Sequence, residues 1–309
     1  MIATITLNPS IDQLIVVRSL VKDDANRARS VIHYPGGKGV NVSKVVRELG
    51  GKTRAYALVG GFVGDFWTKL VKGIDIPHDI HRVRGETRIN TIVTEEAGGT
   101  QTRISAPGPE ISEKEIRAFL KRLLAVRPKP FVWALGGSLA HKMNEDTYKK
   151  FILTLQKSGT PCVLDTDNEA LRLGVEAKPF MIKPNEYEME RLFRRRMKSQ
   201  REYLEAAKSL VERGIRVVVV SLAKRGALFV TREEAFYVST PQVAVRSHLG
   251  AGDSLIGGFL LGLRKRMSLR EAARLGVAAS TSAVMREAPR LCLKSDIPRL
   301  LPRIAIRPL

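Results

Sequence analysis

Cysteine is nearly absent: the 309 residues hold 2, Cys162 and Cys292, far apart and in no Cys-x-x-Cys pair. That excludes a disulfide framework and a thiolate zinc site, and it suits a reducing, cytoplasmic setting. No apolar run approaches the roughly 20 residues a membrane helix needs; the longest, 217–222 and 255–263, are far shorter. Residues 1–8 lack the basic stretch and small-residue cleavage site of a secretion signal, so a protein free in the cytoplasm is expected. There is no fixed-period repeat, low-complexity tract or long linker. The histidines, His33, His78, His81, His141 and His248, show no metal-ligand spacing. Acidic residues are also short, 31 against 52 lysines and arginines, a net charge of +21. Such a balance attracts anions: nucleic acid, an acidic membrane surface or a phosphorylated metabolite. The one dense run, Arg191 to Lys198, has no interleaved aromatics on which bases could stack, and reads as a solvated helix end or loop.

What is present is 44% hydrophobic and 27% charged sequence in a globular pattern. Short β-branched runs at 2–7, 53–59, 131–135, 161–165, 180–183 and 217–222 alternate with helix-like stretches. Ser112 and Glu115 form a capping box opening a helix whose Ile116, Phe119, Leu120, Leu123 and Leu124 share one face; 204–211 repeats the pattern. Strand and helix in alternation predict a mostly parallel sheet covered on both faces. Two segment pairs break the rule, 13–17 with 28–33 and 88–95 with 100–104, and read as a small antiparallel appendage inserted into the main domain. Residues 62–65, after Gly60 and Gly61, read as a loop following a strand.

Two glycine-rich turns carry the chemistry. Gly250-Ala251-Gly252-Asp253-Ser254 precedes a helix-like apolar run, so its amides and the helix N-terminus make a pocket for an anion such as phosphate. Asp253 at the helix start is either a structural cap or a base beside a bound phosphoryl group. Gly36-Gly37-Lys38-Gly39-Val40-Asn41 is no Walker A loop, because Gly39 stands where a magnesium-holding Ser or Thr belongs. Its glycines permit close approach to a ligand, and Asn41 offers a donor and an acceptor to sugar hydroxyls. A dinucleotide-binding fold would place its glycine turn after the first strand, not near residue 250.

These two motifs, with Lys183-Pro184-Asn185-Glu186-Tyr187-Glu188 between them, resemble the ribokinase-like (PfkB) carbohydrate kinases over nearly the whole chain. Asn8 to Asp12, Thr87-Arg88-Ile89-Asn90, Ala106 to Pro109, Gly137 to Leu139 and Ser221 to Ala227 fall in the order of the phosphofructokinase and tagatose-6-phosphate kinase branch. The resemblance implies a three-layer ribokinase-like α/β fold, one kinase domain over 1–309 with a mostly parallel sheet. A small antiparallel β lid would be inserted at about 12–33 and 87–105. It implies ATP- and Mg2+-dependent conversion of a sugar phosphate to a bisphosphate, from fructose 1-phosphate or fructose 6-phosphate, with tagatose 6-phosphate as the alternative. In that reading Asp253 is the base, and Gly250, Ala251 and Gly252 form the anion hole. Asp12, Gly37, Lys38, Asn41, Arg88 and Ser138 hold the sugar phosphate. Lys183, Ser221, Ala223 and Gly226 hold the nucleotide, though the family's usual residue at 223 is glycine. Asn185 and Glu188, one turn apart, hold magnesium through water while also suiting a helix cap. A homodimer through the lid is implied, with no membrane partner and nucleic acid disfavoured. A nucleic-acid-binding protein on a kinase scaffold is the rival, and heat adaptation is another source of the basic charge.

Overall fold

The computed structural model describes residues 1–309. From the first strand, β1 (Ile2–Thr6), the chain enters β2 (Ser10–Val17) and β3 (Ser30–Gly36), and returns through helix α1 (Lys38–Glu48). Next come β4 (Thr53–Val59), α2 (Gly61–Gly73), β5 (His78–Arg82), β6 (Arg88–Glu95), β7 (Gln101–Ile104) and α3 (Glu113–Leu124). The middle of the chain is β8 (Val132–Gly136), α4 (Thr147–Lys157), β9 (Cys162–Asp165), α5 (Asn168–Glu176), β10 (Met181–Ile182), α6 (Glu186–Phe193) and α7 (Gln200–Glu212). It closes with β11 (Val217–Ser221), β12 (Gly226–Val230), β13 (Ala235–Ser239), α8 (Ala251–Arg264), α9 (Leu269–Val284), α10 (Ile297–Leu300) and β14 (Ile306–Pro308).

The main sheet has ten strands in the order β14-β13-β12-β11-β10-β9-β8-β1-β4-β5. From β11 to β5 every pair is parallel, while β12, β13 and β14 join antiparallel. Alternate residues of one strand feed opposite cores. Val218 and Val220 of β11 pack with the helices of one face, and Val217 and Val219 with those of the other. Trp133 and Leu135 of β8 likewise separate from Val132 and Ala134. Burial on both sides explains the continuous apolar runs in the sequence. No helix is long and apolar enough to cross a membrane.

The second sheet has four strands, β3-β2-β6-β7. Its two hairpins are antiparallel as expected, but the pair that joins them, β2 with β6, is parallel, with Ser10 opposite Arg88 and Asp12 opposite Asn90. The reason lies in the main sheet. β2 continues β1 and β6 continues β5, two parallel strands, so both leave the same edge in the same direction. β2 begins three residues before the expected 13, and β3 covers Ser30–Gly36 in place of 28–33, while β6 keeps its expected bounds.

Residues 62–65 are helical, inside α2, instead of a loop. The helix starts early because Glu86 Oε1, more than twenty residues on, accepts from the free Val63 amide at 2.7 Å. Asp65 there pairs with Arg82, away from any ligand site. The basic run proves to be the end of α6 and the loop before α7, its Arg195 and Arg196 paired with Glu202 and Glu190.

Two helices set up the site. α1 and α8 lie on the same face, with Val42, Val45 and Val46 against Leu255, Ile256 and Phe259. At Gly257 a side chain would stand 2.7 Å from Val45 Cγ1, so its absence lets the helices close together. Both helices begin at the carboxyl edge of the sheet, and their N-termini meet there.

Candidate active site

Gly250 adopts a left-handed backbone, φ 71°, and ends the turn that starts α8; Ala251 and Gly252 follow it into the helix. Asp253 is the third helical residue and caps nothing. It is 6% exposed and accepts from Asn41 Nδ2 of α1 at 2.8 Å, across 212 positions of sequence. The late turn and the early glycine loop therefore share one cleft of about 1050 Å³ at the carboxyl ends of β1, β8, β9 and β10, on either side of the strand where chain order reverses. Burial, then the nearby Asp165 charge, push Asp253 up to about 6, with Lys38, the Asn41 hydrogen bond and Lys183 acting against them. A carboxylate so placed can accept a proton near neutrality.

Asp165, at the end of β9, was not among the residues singled out from sequence. It is 4% exposed, 3.2 Å from Lys38 Nζ and 3.3 Å from Lys183 Nζ. Burial pushes its carboxyl up, but Lys183 and Lys38 outweigh burial and hold it low. The available signal was its place, an acid closing an apolar parallel strand. Lys38, expected in the sugar grip, turns its ammonium to Asp165, and its charge is raised in affinity for a proton by Asp165, Asp253 and Glu188 against burial. Lys183 lies beneath the glycine turn: a Cβ at Gly252 would stand 3.1 Å from Lys183 Nζ.

The other end of the cleft is under the lid. Asp12 Oδ1 accepts from Ser10 Oγ at 2.7 Å and from Asn90 Nδ2 at 2.9 Å, which leaves Oδ2 for a ligand. Gly36 and Gly37 pass beneath; a side chain at Gly36 would strike the Asp12 carboxylate. Arg88 opens β6 and donates to Ala106 O at 2.8 Å, Asn8 O at 3.0 Å and Ser138 Oγ at 3.2 Å. Its Nε is buried without a partner. Held by neutral oxygens and by no carboxylate, this guanidinium keeps its charge for an incoming anion. Arg103 from β7 lines the same end.

Asn185 and Glu188 form a capping box at the start of α6: Glu188 N donates to Asn185 Oδ1 at 2.9 Å and Asn185 N to Glu188 Oε2 at 2.8 Å. Both line the cleft, and burial raises the Glu188 carboxyl against the pull of Lys183. Ser221 lines it beside them. Ala223 and Gly226, expected at the nucleotide, do not. Ala223 is an exposed left-handed residue, φ 49°, in the turn before β12, and Gly226 is buried where any side chain would hit the Val238 carbonyl, so its glycine serves the approach of β13. His248 lines the cleft but is not among the groups that set the acidity of Asp253. No cluster of three or more His, Cys, Asp or Glu side chains is placed to cage a metal ion.

Comparison with known proteins agrees with this geometry. The profile described as pfkB family carbohydrate kinase matches residues 5–296. The chain is 34% identical over 306 residues to a 1-phosphofructokinase of Bacillus subtilis, covering 99% of each. It is 32% identical over 301 residues to the ATP-dependent 6-phosphofructokinase isozyme 2 of Escherichia coli, covering 97% of each. The crystal structure of Escherichia coli phosphofructokinase-2 in complex with potassium superposes with a TM-score of 0.93 at 31% identity, covering 97% of this chain and 98% of that one; that protein has also been solved with fructose-6-phosphate and in a tetrameric inhibited form. The α/β sheet with its four-stranded lid is thus the ribokinase-like fold, and the chain belongs to the pfkB family of carbohydrate kinases, as a sugar-phosphate phosphotransferase of the phosphofructokinase branch.

Proposed function

We propose that the cleft transfers the terminal phosphoryl group of ATP to a fructose monophosphate and releases fructose 1,6-bisphosphate and ADP. The carrying observation is one cavity that holds a buried carboxylate, Asp253, at a helix N-terminus and a guanidinium without a carboxylate partner, Arg88, under the lid. Fructose 1-phosphate and fructose 6-phosphate are the two candidates, the first supported by the identity to the Bacillus subtilis relative, the second by the identity and the superposition with the Escherichia coli proteins.

In this reading Arg88 and Ser138 bind the phosphate already on the sugar, and Asp12, Gly37 and Asn41 hold its hydroxyls. Asp253 takes the proton of the attacking hydroxyl as the new O–P bond forms and the bond to ADP breaks. The amides of Gly250, Ala251 and Gly252, aimed along α8, hold the phosphoryl oxygens as charge moves. Lys183 and Lys38, anchored on Asp165, supply positive charge on that side, and Ser221 borders the nucleotide. Asn185 and Glu188 are two oxygen donors and no cage, the set that suits a hard cation keeping most of its waters. Magnesium, when bound, would neutralise nucleotide phosphate oxygens, with Asn185 and Glu188 holding it through water. The whole chain, 1–309, acts as one kinase domain. The lid bears exposed Val31, Ile32, Ile89 and Ile104, which supports pairing of two copies through it.

ADP release measured against fructose 1-phosphate, fructose 6-phosphate, tagatose 6-phosphate and free fructose tests the reading. A fructose monophosphate is expected to exceed the rest by about tenfold or more in kcat/KM. A preference for tagatose 6-phosphate would change the substrate, and a preference for free fructose would remove Arg88 from its role.

A further inference from the structure

The base is tied to a residue outside the cleft lining. Lys44 follows Asn41 by one position short of a helical turn, on α1. Its Nζ donates to Pro35 O at 2.7 Å and to Asn41 Oδ1 at 3.2 Å, and stands 5.7 Å from the centre of the Tyr34 ring. An ammonium has donors and no acceptor, whereas a carboxamide has one oxygen and one NH2 group. With its oxygen turned to Lys44, Asn41 has its NH2 left to face Asp253 Oδ2, at 2.8 Å. The reversed amide would set its NH2 against the ammonium and its oxygen against the carboxylate, two repulsive pairs in a part-buried place.

We propose that Lys44 is a positioning residue which fixes the orientation of the Asn41 amide and so keeps Asp253 in its proton-accepting form. This rests on Asp253 being the base. The titratable groups around Asp253 and Asn41 divide by element: Lys38 and Lys44 on α1, Asp165 at the end of β9, Lys183 after β10 and Asp12 on β2, with Glu188 of α6 acting on Lys38, while His248, at the turn before α8, lines the cleft without setting the acidity of Asp253. Asp165 disfavours the carboxylate, and the Asn41 hydrogen bond opposes it. Burial lowers Lys44 to about 8, with Asp12 and Asp253 acting against the fall. Above that pH the neutral amine keeps two N–H groups, so both hydrogen bonds can persist after the charge is gone.

The experiment compares pH profiles of kcat/KM for the preferred fructose monophosphate in the wild type, Lys44→Met, Lys44→Arg and Asp253→Asn. Titration of the substrate phosphate is common to all four. Loss of Lys44 should displace the acidic limb to higher pH, with kcat/KM down about tenfold at pH 6 and less than about twofold at pH 9, and Lys44→Arg should restore the wild-type curve. Where Lys44→Met fails to fold, Lys44→Gln, a donor without charge, is read for the same displacement in smaller measure. A uniform loss at every pH, or an unchanged profile, would overturn the proposal while leaving Asp253 as the base. If Asp253→Asn keeps more than about a tenth of the wild-type rate, Asp253 is not the base and both readings fall.

Discussion

Asp165 Oδ1 stands 3.3 Å from Lys183 Nζ, two opposite charges each about nineteen-twentieths buried, from the ends of neighbouring strands. The pair keeps Lys183 against the glycine turn, and Asp165 also holds Lys38. Replacing Asp165 by Asn leaves two ammonium groups without their counter-charge, and breaking such a buried cluster costs about 3–5 kcal/mol. It also removes the carboxylate that raises Asp253. The expected outcome is a lowered urea midpoint, a kcat reduced at least about thirtyfold, and an acidic limb of kcat/KM moved to lower pH, opposite in direction to the Lys44 variants.

Asp253 itself should cost stability. Its carboxyl lies above its ordinary value of 3.8, at about 6, so above that pH the folded protein bears the penalty of a buried anion. Below the ordinary value the penalty is absent, because both states are protonated. Asp253→Asn removes it, for a gain of up to about 3 kcal/mol at pH 7 that shrinks as pH falls through 6 toward 4. Thermal melting should show a stabilised protein whose turnover is down by at least about a hundredfold, with sugar and nucleotide KM nearly kept. An unchanged melting temperature at pH 7 would count against the burial argument.

Much of the site was legible because chemistry and local geometry coincide in it. Gly250 to Asp253 reads as a helix start in any setting, and Asn41 follows a glycine loop that needs a close ligand or a close strand. Asp165 was illegible because Lys38 and Lys183, which give it meaning, come from elsewhere in the chain, the start of α1 and the end of β10. The parallel join of β2 and β6 was hidden for a similar reason: hairpin alternation speaks of each pair alone, while the direction of the middle pair descends from β1 and β5. Glu86 starts α2 from outside its own segment. At Gly226 a glycine that reads as room for a ligand also gives room to a strand, since a side chain there would meet the Val238 carbonyl.

Arg88 should act through the shape of its guanidinium as well as its charge. Two of its nitrogens are held by Ala106 O, Asn8 O and Ser138 Oγ, and Nε is free. Lysine cannot reproduce that fork. Arg88→Lys is expected to raise KM for the fructose monophosphate by roughly ten- to a hundredfold, with kcat/KM for free fructose within about twofold of wild type. An equal loss for both sugars would mean that the residue supports the lid and does not bind phosphate.

One wall of the cleft depends on a carboxylate remote from the chemistry. Asp296 is 1% exposed and accepts from Ser282 Oγ, from Arg286 and from Arg299. Ser282 Oγ in turn accepts from Leu293 N at 2.9 Å. These bonds close the loop after α9, whose Ala288, Pro289, Arg290 and Leu291 line the cleft. Burial alone would push Asp296 up, but the Ser282 hydrogen bond and Arg286 outweigh it and hold it below its ordinary value. A lowered carboxyl contributes stability above the unfolded value of 3.8 and loses it as pH falls through the folded one. Asp296→Asn should therefore destabilise the protein by about 2–4 kcal/mol at pH 7, and by progressively less below pH 4. Because the loop lines the cleft and its Ala288 packs against Leu14, Tyr34 and Ile92 of the lid, KM for the sugar phosphate should rise as the loop loosens. Denaturant titrations at pH 7 and pH 3.5, with that KM, check this: a destabilisation independent of pH would mean that packing, and not the ionised carboxylate, holds the loop.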